Sequence, residues 1–263
     1  MVMIARGESV GEAWIDGLQG MLNLQGDVGY MLVTEIGAPT IQGPHDREIA
    51  RQVDAMLRRA RKQPVQAVSN TLFPQDVASR FTAPLMYRHY LDEVYPLLKQ
   101  ERANWWGTYA HRLFERTQAN GTVINPLDRM IRKMAASVRR GRVVRSHHEL
   151  SLVDPDLEIA IADPTLPGMT STRSGPCLSH LSFKVPDRTR VDLIAFYRTH
   201  YFVEKALGNF VGLARLLNFV AREAGLNAGT LTVISSCAKL DLPAGTTRAD
   251  LRQLQESFSV KAN

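Results

Sequence analysis

The pattern between residues 180 and 235 constrains the fold more than any other feature. Two β-rich runs, His180 to Val185 and Val191 to Tyr197, flank Pro186-Asp187-Arg188, a turn signal. A helical stripe then runs from about Gly208 to Gly225, carrying Val211, Leu213, Ala214, Leu216, Leu217, Val220 and Ala221. Gly225 is a natural helix stop, and Gly229 to Ser235 (GTLTVIS) reads as another strand. Upstream, Leu157 to Ala162 (LEIAIA) reads as a buried strand. The first half is helical: Glu8 to Leu24, Asp46 to Lys62, Ala83 to Arg102 and Pro126 to Arg140 each fit a helix. Sparse strands among helices imply an α+β class with a mixed sheet packed with helices. No Pro- or Gly-rich linker divides the 263 residues, so a single domain is expected.

Composition excludes several classes. The two cysteines, Cys177 and Cys237, form neither a disulfide framework nor a C-x-x-C motif. A reducing compartment suits them, and a cytoplasmic protein is expected. The N-terminal stretch MVMIARGESVGEAW lacks an apolar core of signal-peptide length. No run of about 18 apolar residues appears, so no membrane partner is expected. Phosphate-binding P-loops, dinucleotide fingerprints and H-E-x-x-H zinc motifs are missing, and no metal is expected; the adjacent His147-His148 lacks a spaced partner. The net charge of +6 fits either simple solubility or anionic partners. Arg129, Arg132, Lys133, Arg139, Arg140, Arg142 and Arg145 crowd one region, read as a solvated face or as an anion site. Without a reader motif for DNA or RNA, nucleic acid is not the expected partner.

Three residues stand out chemically. Cys177 follows Gly175-Pro176 at the entrance to a strand, where a thiol is either accessible on a turn or a buried structural group. Arg198 leaves an apolar strand, as a bidentate anion ligand or a plain surface residue. Asn209 stands near the start of the long helix, as an ordinary N-cap or as an amide that matches the N3–H and O4 edge of a uracil ring.

The order and spacing of these residues resemble thymidylate synthase. Gly175-Pro-Cys-Leu-Ser-His-Leu-Ser-Phe-Lys-Val185 is similar to that family's catalytic segment, Pro-Cys-His followed by a strand ending Phe-x-Val. Tyr197-Arg198-Thr199 resembles its Gln-Arg-Ser, and Asn209, eleven residues after Arg198, matches its Phe-Asn with no gap in the alignment. Asn209-Phe-Val-Gly-Leu-Ala-Arg-Leu-Leu217 resembles its Asn-led helix, and Gly225-Leu226 with Gly229-Thr-Leu231 its closing strand. Trp106-Gly107-Thr108-Tyr109 is similar to its Gly-Pro-Val-Tyr segment. The likeness is clearest over 157–241 and weaker over 104–140.

The resemblance implies a thymidylate synthase-like fold, a homodimer, a pyrimidine nucleotide substrate and 5,10-methylenetetrahydrofolate as one-carbon donor. Cys177 would add to C6 of the ring, so that C5 attacks the one-carbon unit. Arg198 would favour the thiolate and grip the phosphate with Thr199; Asn209 would read the base; Tyr109 would assist proton transfer beside Cys177. Trp105, Trp106 and Tyr201 are the expected folate contacts.

The sequence also departs from the family. Leu178 replaces the His after the nucleophile, and Tyr201 replaces the pterin-binding Asp. Leu157-Glu158 stands where an Arg-Arg pair reaches the partner's phosphate, which leaves Arg139, Arg140 and Arg145 as substitutes. Gly26-Asp27-Val28-Gly29 is a faint echo of the phosphate loop, and Lys239-Leu240-Asp241 replaces the sugar-binding His-x-Tyr. Methylation and hydroxymethylation at C5 are both open under such divergence. A non-catalytic protein of the same fold, binding a nucleotide or a protein partner, is the alternative.

Overall fold

The computed structural model describes residues 2–101, 104, 107–118, 120–144, 146–152 and 176–259. In chain order the elements are β1 (Met3–Gly7), α1 (Val10–Leu22), β2 (Val28–Ile36), α2 (Pro44–Arg59), α3 (Val65–Leu72), α4 (Gln75–Ala78) and α5 (Ala83–His89). A π-helical turn, Tyr90–Val94, leads into α6 (Tyr95–Gln100), then α7 (Tyr109–Phe114), β3 (Arg116–Thr117), β4 (Val123–Ile124), α8 (Pro126–Arg139) and β5 (Glu149–Ser151). The second half holds β6 (Leu178–Lys184), β7 (Arg190–Tyr197), β8 (His200–Tyr201), a π-helical turn (Phe202–Ala206), α9 (Leu207–Ala224), β9 (Asn227–Lys239) and α10 (Arg248–Phe258).

The fold is α+β, a mixed sheet packed against helices, as the element pattern predicts. Seven strands form the main sheet in the order β1-β2-β9-β7-β6-β5, with β8 pairing the end of β9. The β6–β7 hairpin is antiparallel, whereas β7 runs parallel to β9, which obliges a crossover. Helix α9 supplies it. Its C-terminus is Gly225 at φ +72, a left-handed cap that the sequence signalled.

Strand β9, the longest, has one face for the core and one open. Leu231, Val233 and Ser235 are buried, as are Leu193, Ala195 and Tyr197 of β7. The alternate residues Val33, Ile194, Phe196, Thr232 and Ile234 are only half-buried on the other side. Period-two alternation places them together, and the register confirms it: Ile234 lies opposite both Val33 and Phe196.

The start of α1 is set by Ser9 and Glu12, which form a reciprocal capping box. Its core stripe includes Trp14, which stacks on Phe202 at 5.9 Å and donates from Nε1 to the Phe202 carbonyl. Helix α3 lies against α9 at close range. A Cβ on Gly208 would fall 2.6 Å from the Val68 Cβ, and one on Gly212 would fall 2.9 Å from the Leu72 Cβ. These two glycines let the backbones approach and bring α3 to the wall of the cleft described below.

Asn209 is not an N-cap. The chain is already helical from Phe202, and Asn209 lies inside α9 with its side chain buried. The capping is done from a distance: the Asp241 carboxylate accepts the amides of Val203 and Glu204 at 2.9 Å each. Asp241, which the resemblance sets near a sugar-binding position, is thus occupied in holding the start of this helix. The expected strand at 157–162, together with Trp105, Trp106 and Arg145, lies outside the described residues.

Candidate active site

Cys177 sits immediately before β6, and both flanks of its backbone are held. Its amide and that of Leu178 donate to the Tyr109 hydroxyl at 3.0 and 3.2 Å. The Arg198 amide donates to the Cys177 carbonyl at 2.8 Å, and Arg198 Nη2 donates to the Pro176 carbonyl, also at 2.8 Å. Four charged or neutral hydrogen bonds thus locate one turn from two distant elements. Arg198 is placed by the end of β7, and its carbonyl accepts from Ser236 Oγ on β9.

Tyr109 reaches the turn from the first residue of α7. Thr108 caps that helix by accepting the His111 amide, while its hydroxyl pairs with Tyr90 Oη at 2.7 Å. Burial raises the Tyr109 pKa, with the neighbouring Cys177 adding to the effect. Tyr109 therefore keeps its proton at neutral pH.

The Cys177 thiol is half-buried. Burial raises its pKa, and the Arg198 guanidinium opposes that rise without cancelling it. Arg198 was expected to favour the thiolate. The net effect is the reverse, and the resting thiol is protonated at neutral pH.

Cys177, Tyr109, Thr199, Tyr201 and Asn209 line one cleft of about 190 Å³. The other lining residues are Gln63, Val68, Thr71, Asn104, His200 and Lys205. Asn209 reaches it from α9, with Nδ2 donating to His200 Nε2 at 3.0 Å. His200 Nδ1 lies 2.9 Å from Ser235 Oγ, and its ring stacks on Tyr197. Burial drives the His200 pKa down to about 3, so the imidazole is neutral. Tyr201 is exposed on the rim, with Lys239 Nζ 5.8 Å from its ring centre.

The geometry thus gathers Cys177, Tyr109 and the Asn209 amide. It does not bring Arg139 and Arg140, at the end of α8, to the lining, and Arg198 stands beside the cleft, exposed, rather than in its lining. His200, Ser235, Gln63, Asn104 and Lys205 escaped sequence reasoning. For His200 the sequence holds no signal, because its partner Ser235 is 35 residues away on another strand. Among the described residues no group of three or more His, Cys, Asp or Glu is placed to hold a metal ion. No described helix is long and apolar enough to cross a membrane.

No family model matches the chain. A protein of Methanococcoides burtonii named "Putative thymidylate synthase" is 38% identical over 65 residues, 25% of this chain and 30% of that protein. One of Methanosarcina barkeri with the same name is 33% identical over 88 residues, 33% of this chain and 40% of that protein. The chain therefore matches less than half the length of either relative. These two partial likenesses support a thymidylate synthase-like relationship.

Proposed function

We propose that the chain transfers a one-carbon unit to C5 of a pyrimidine nucleotide through a covalent adduct of Cys177 at C6. The observation that carries this reading is the convergence on one cleft of a thiol, a protonated tyrosine and a base-sized amide. In the proposed step Cys177 loses its proton to solvent and its sulfur bonds to C6. The C5–C6 electron pair moves to C5 and is delocalised onto the ring carbonyl at C4. C5 then becomes the nucleophile. Arg198 steadies the thiolate as it forms, and Tyr109 holds the Cys177 amide so that the sulfur faces the ring. In release C5 loses its proton to water, the freed electron pair re-forms the C5–C6 double bond, and the Cys177 sulfur leaves as the thiolate. Thr199 and the remaining donors of Arg198 are the proposed phosphate contacts.

The proposed donor is 5,10-methylenetetrahydrofolate, which supplies an electrophilic methylene carbon. The described lining does not fit a pterin as the family holds one. A pterin presents paired N–H donors suited to a carboxylate, whereas Tyr201 stands at the Asp position and no carboxylate lines the cleft among the described residues. Gln63 and Asn104 offer single amide acceptors. Methyl and hydroxymethyl products at C5 are both within the proposal.

The proposal includes a homodimer. Val33, Ile194, Phe196 and Ile234 form a half-buried apolar stripe on the open sheet face, which a second copy would cover. The assignment of Arg139, Arg140 and Arg145 to the phosphate then requires the partner copy, since Arg139 and Arg140 do not line the cleft of their own chain.

The test is trapping with a 5-fluoropyrimidine nucleotide. With methylenetetrahydrofolate supplied, the wild type is expected to gain the mass of one nucleotide plus one donor per chain, because fluorine at C5 blocks the loss that would release the sulfur, and Cys177→Ser none. A mass gain that survives in Cys177→Ser would overturn the assignment. Binding without any adduct in the wild type would favour the non-catalytic alternative, for which the altered folate position is the specific observation.

A further inference from the structure

Asn209 does not face the cleft independently. Its Nδ2 is 3.0 Å from His200 Nε2, and His200 Nδ1 is 2.9 Å from Ser235 Oγ. The imidazole lies flat on Tyr197, with centroids 4.1 Å apart and planes within 2°, and Phe210 packs edge-on at 5.7 Å. His200 is 2% exposed and Ser235 0%. The ring is fixed in plane and rotation, and only the placement of its proton distinguishes one arrangement from another.

A neutral imidazole carries one N–H and one acceptor nitrogen. An amide nitrogen can only donate, so with Nδ2 facing His200 the acceptor is Nε2. The imidazole proton then sits on Nδ1 and is donated to Ser235 Oγ. The reverse arrangement places the proton on Nε2, takes a proton from the Ser235 hydroxyl at Nδ1, and demands that Asn209 turn its oxygen towards His200. A hydroxyl can play either part, so Ser235 and His200 together hold the choice.

The two arrangements present opposite edges. In the first, one N–H of the amide is used on His200, leaving the other N–H and Oδ1 for a bound ring. A ring with N3–H beside a C4 carbonyl takes these in one order. A ring with an unprotonated N3 beside a C4 amino group takes them in the other. We infer that His200, held by Ser235 and Tyr197, is a positioning residue that fixes which way round the Asn209 amide stands and so decides between these two pyrimidine types. This rests on the reading of the cleft as a pyrimidine site.

The test compares the wild type with His200→Phe and Ser235→Ala. Phenylalanine retains the stack on Tyr197 but neither donates nor accepts. Deoxyuridine and deoxycytidine monophosphates are the probes. The readouts are kcat/KM for release of tritium from C5 and Kd by calorimetry. The wild type is expected to prefer one ring, and in His200→Phe the preference shrinks on the order of ten-fold, the cost of a mispaired polar edge. Ser235→Ala shifts the ratio in the same direction and carries the test should His200→Phe not fold. Loss of activity on both rings at an unchanged ratio is what a merely structural role predicts, and it overturns the inference. So does a wild type that shows no preference. If the wild type neither exchanges nor binds either nucleotide, the proposed function falls too, whereas exchange with an unmoved ratio removes only the role of His200.

Discussion

At the scale of single residues, Cys177 is held between opposing influences: burial raises its thiol pKa while Arg198 lowers it. Chemistry that needs the thiolate should therefore accelerate as pH rises towards a value above that of an ordinary thiol. Arg198→Gln removes the lowering influence, so the profile moves further upward and the rate at pH 7 falls. A pH series of C5 exchange for both proteins checks the direction; a profile that moves downward contradicts it. His200 makes a second prediction, about stability. Its folded pKa of about 3 lies below the ordinary 6.5, so the folded state refuses a proton that the unfolded chain accepts. The stability it contributes is present above pH 6.5 and is lost progressively as pH falls towards 3. At pH 5 the loss is roughly 2 kcal/mol relative to pH 7. Urea melts at the two pH values measure it, and His200→Phe should flatten the difference.

At the scale of elements, two contacts position the cleft and both can be broken locally. Asp241 caps the start of the π-turn and α9 by accepting two amides, so Asp241→Ala leaves both donors unmet and should cost about 1–2 kcal/mol. Gly208→Ala forces a methyl group to within 2.6 Å of Val68 Cβ, pushes α3 from α9 and should cost about 1–3 kcal/mol, with weakened nucleotide binding. Equilibrium unfolding of each variant reads these values. The elements themselves were unevenly legible. Helices α1, α2 and α8 announced themselves by apolar spacing and capping residues, and the β6–β7 hairpin by its Pro-Asp turn. Strands β1 and β2 did not, because β2 is interrupted at Met31, whose φ is +57, and alternates polar with apolar only in part. Helix α3 is short, and its burial depends on glycines in α9 that carry no local helical signal. The N-cap reading of Asn209 failed because the true cap, Asp241, is supplied from beyond β9. Cys177, Arg198 and Asn209 were legible through their mutual spacing, whereas the His200–Ser235 pair exists only once β8 is laid along β9.

At the scale of the whole molecule, the described core is continuous from Trp14 to Leu254, and we expect one cooperative unfolding transition by calorimetry. The open sheet face should make the protein a dimer in sedimentation, with Phe196→Asp on that face yielding monomers. Activity lost with dimerisation would fit a phosphate contact supplied by the partner copy. Nucleophilic addition by Cys177 underlies every step of the proposed reaction. Its most direct measurement is release of tritium from C5 of pyrimidine nucleotides into water, which requires nucleophilic addition at C6. The wild type should release it, and Cys177→Ala should reduce the rate by ~10³-fold or more while remaining folded. Undiminished release in Cys177→Ala, or no release from any uridine or cytidine nucleotide by the wild type, would contradict the assignment of Cys177 as the nucleophile.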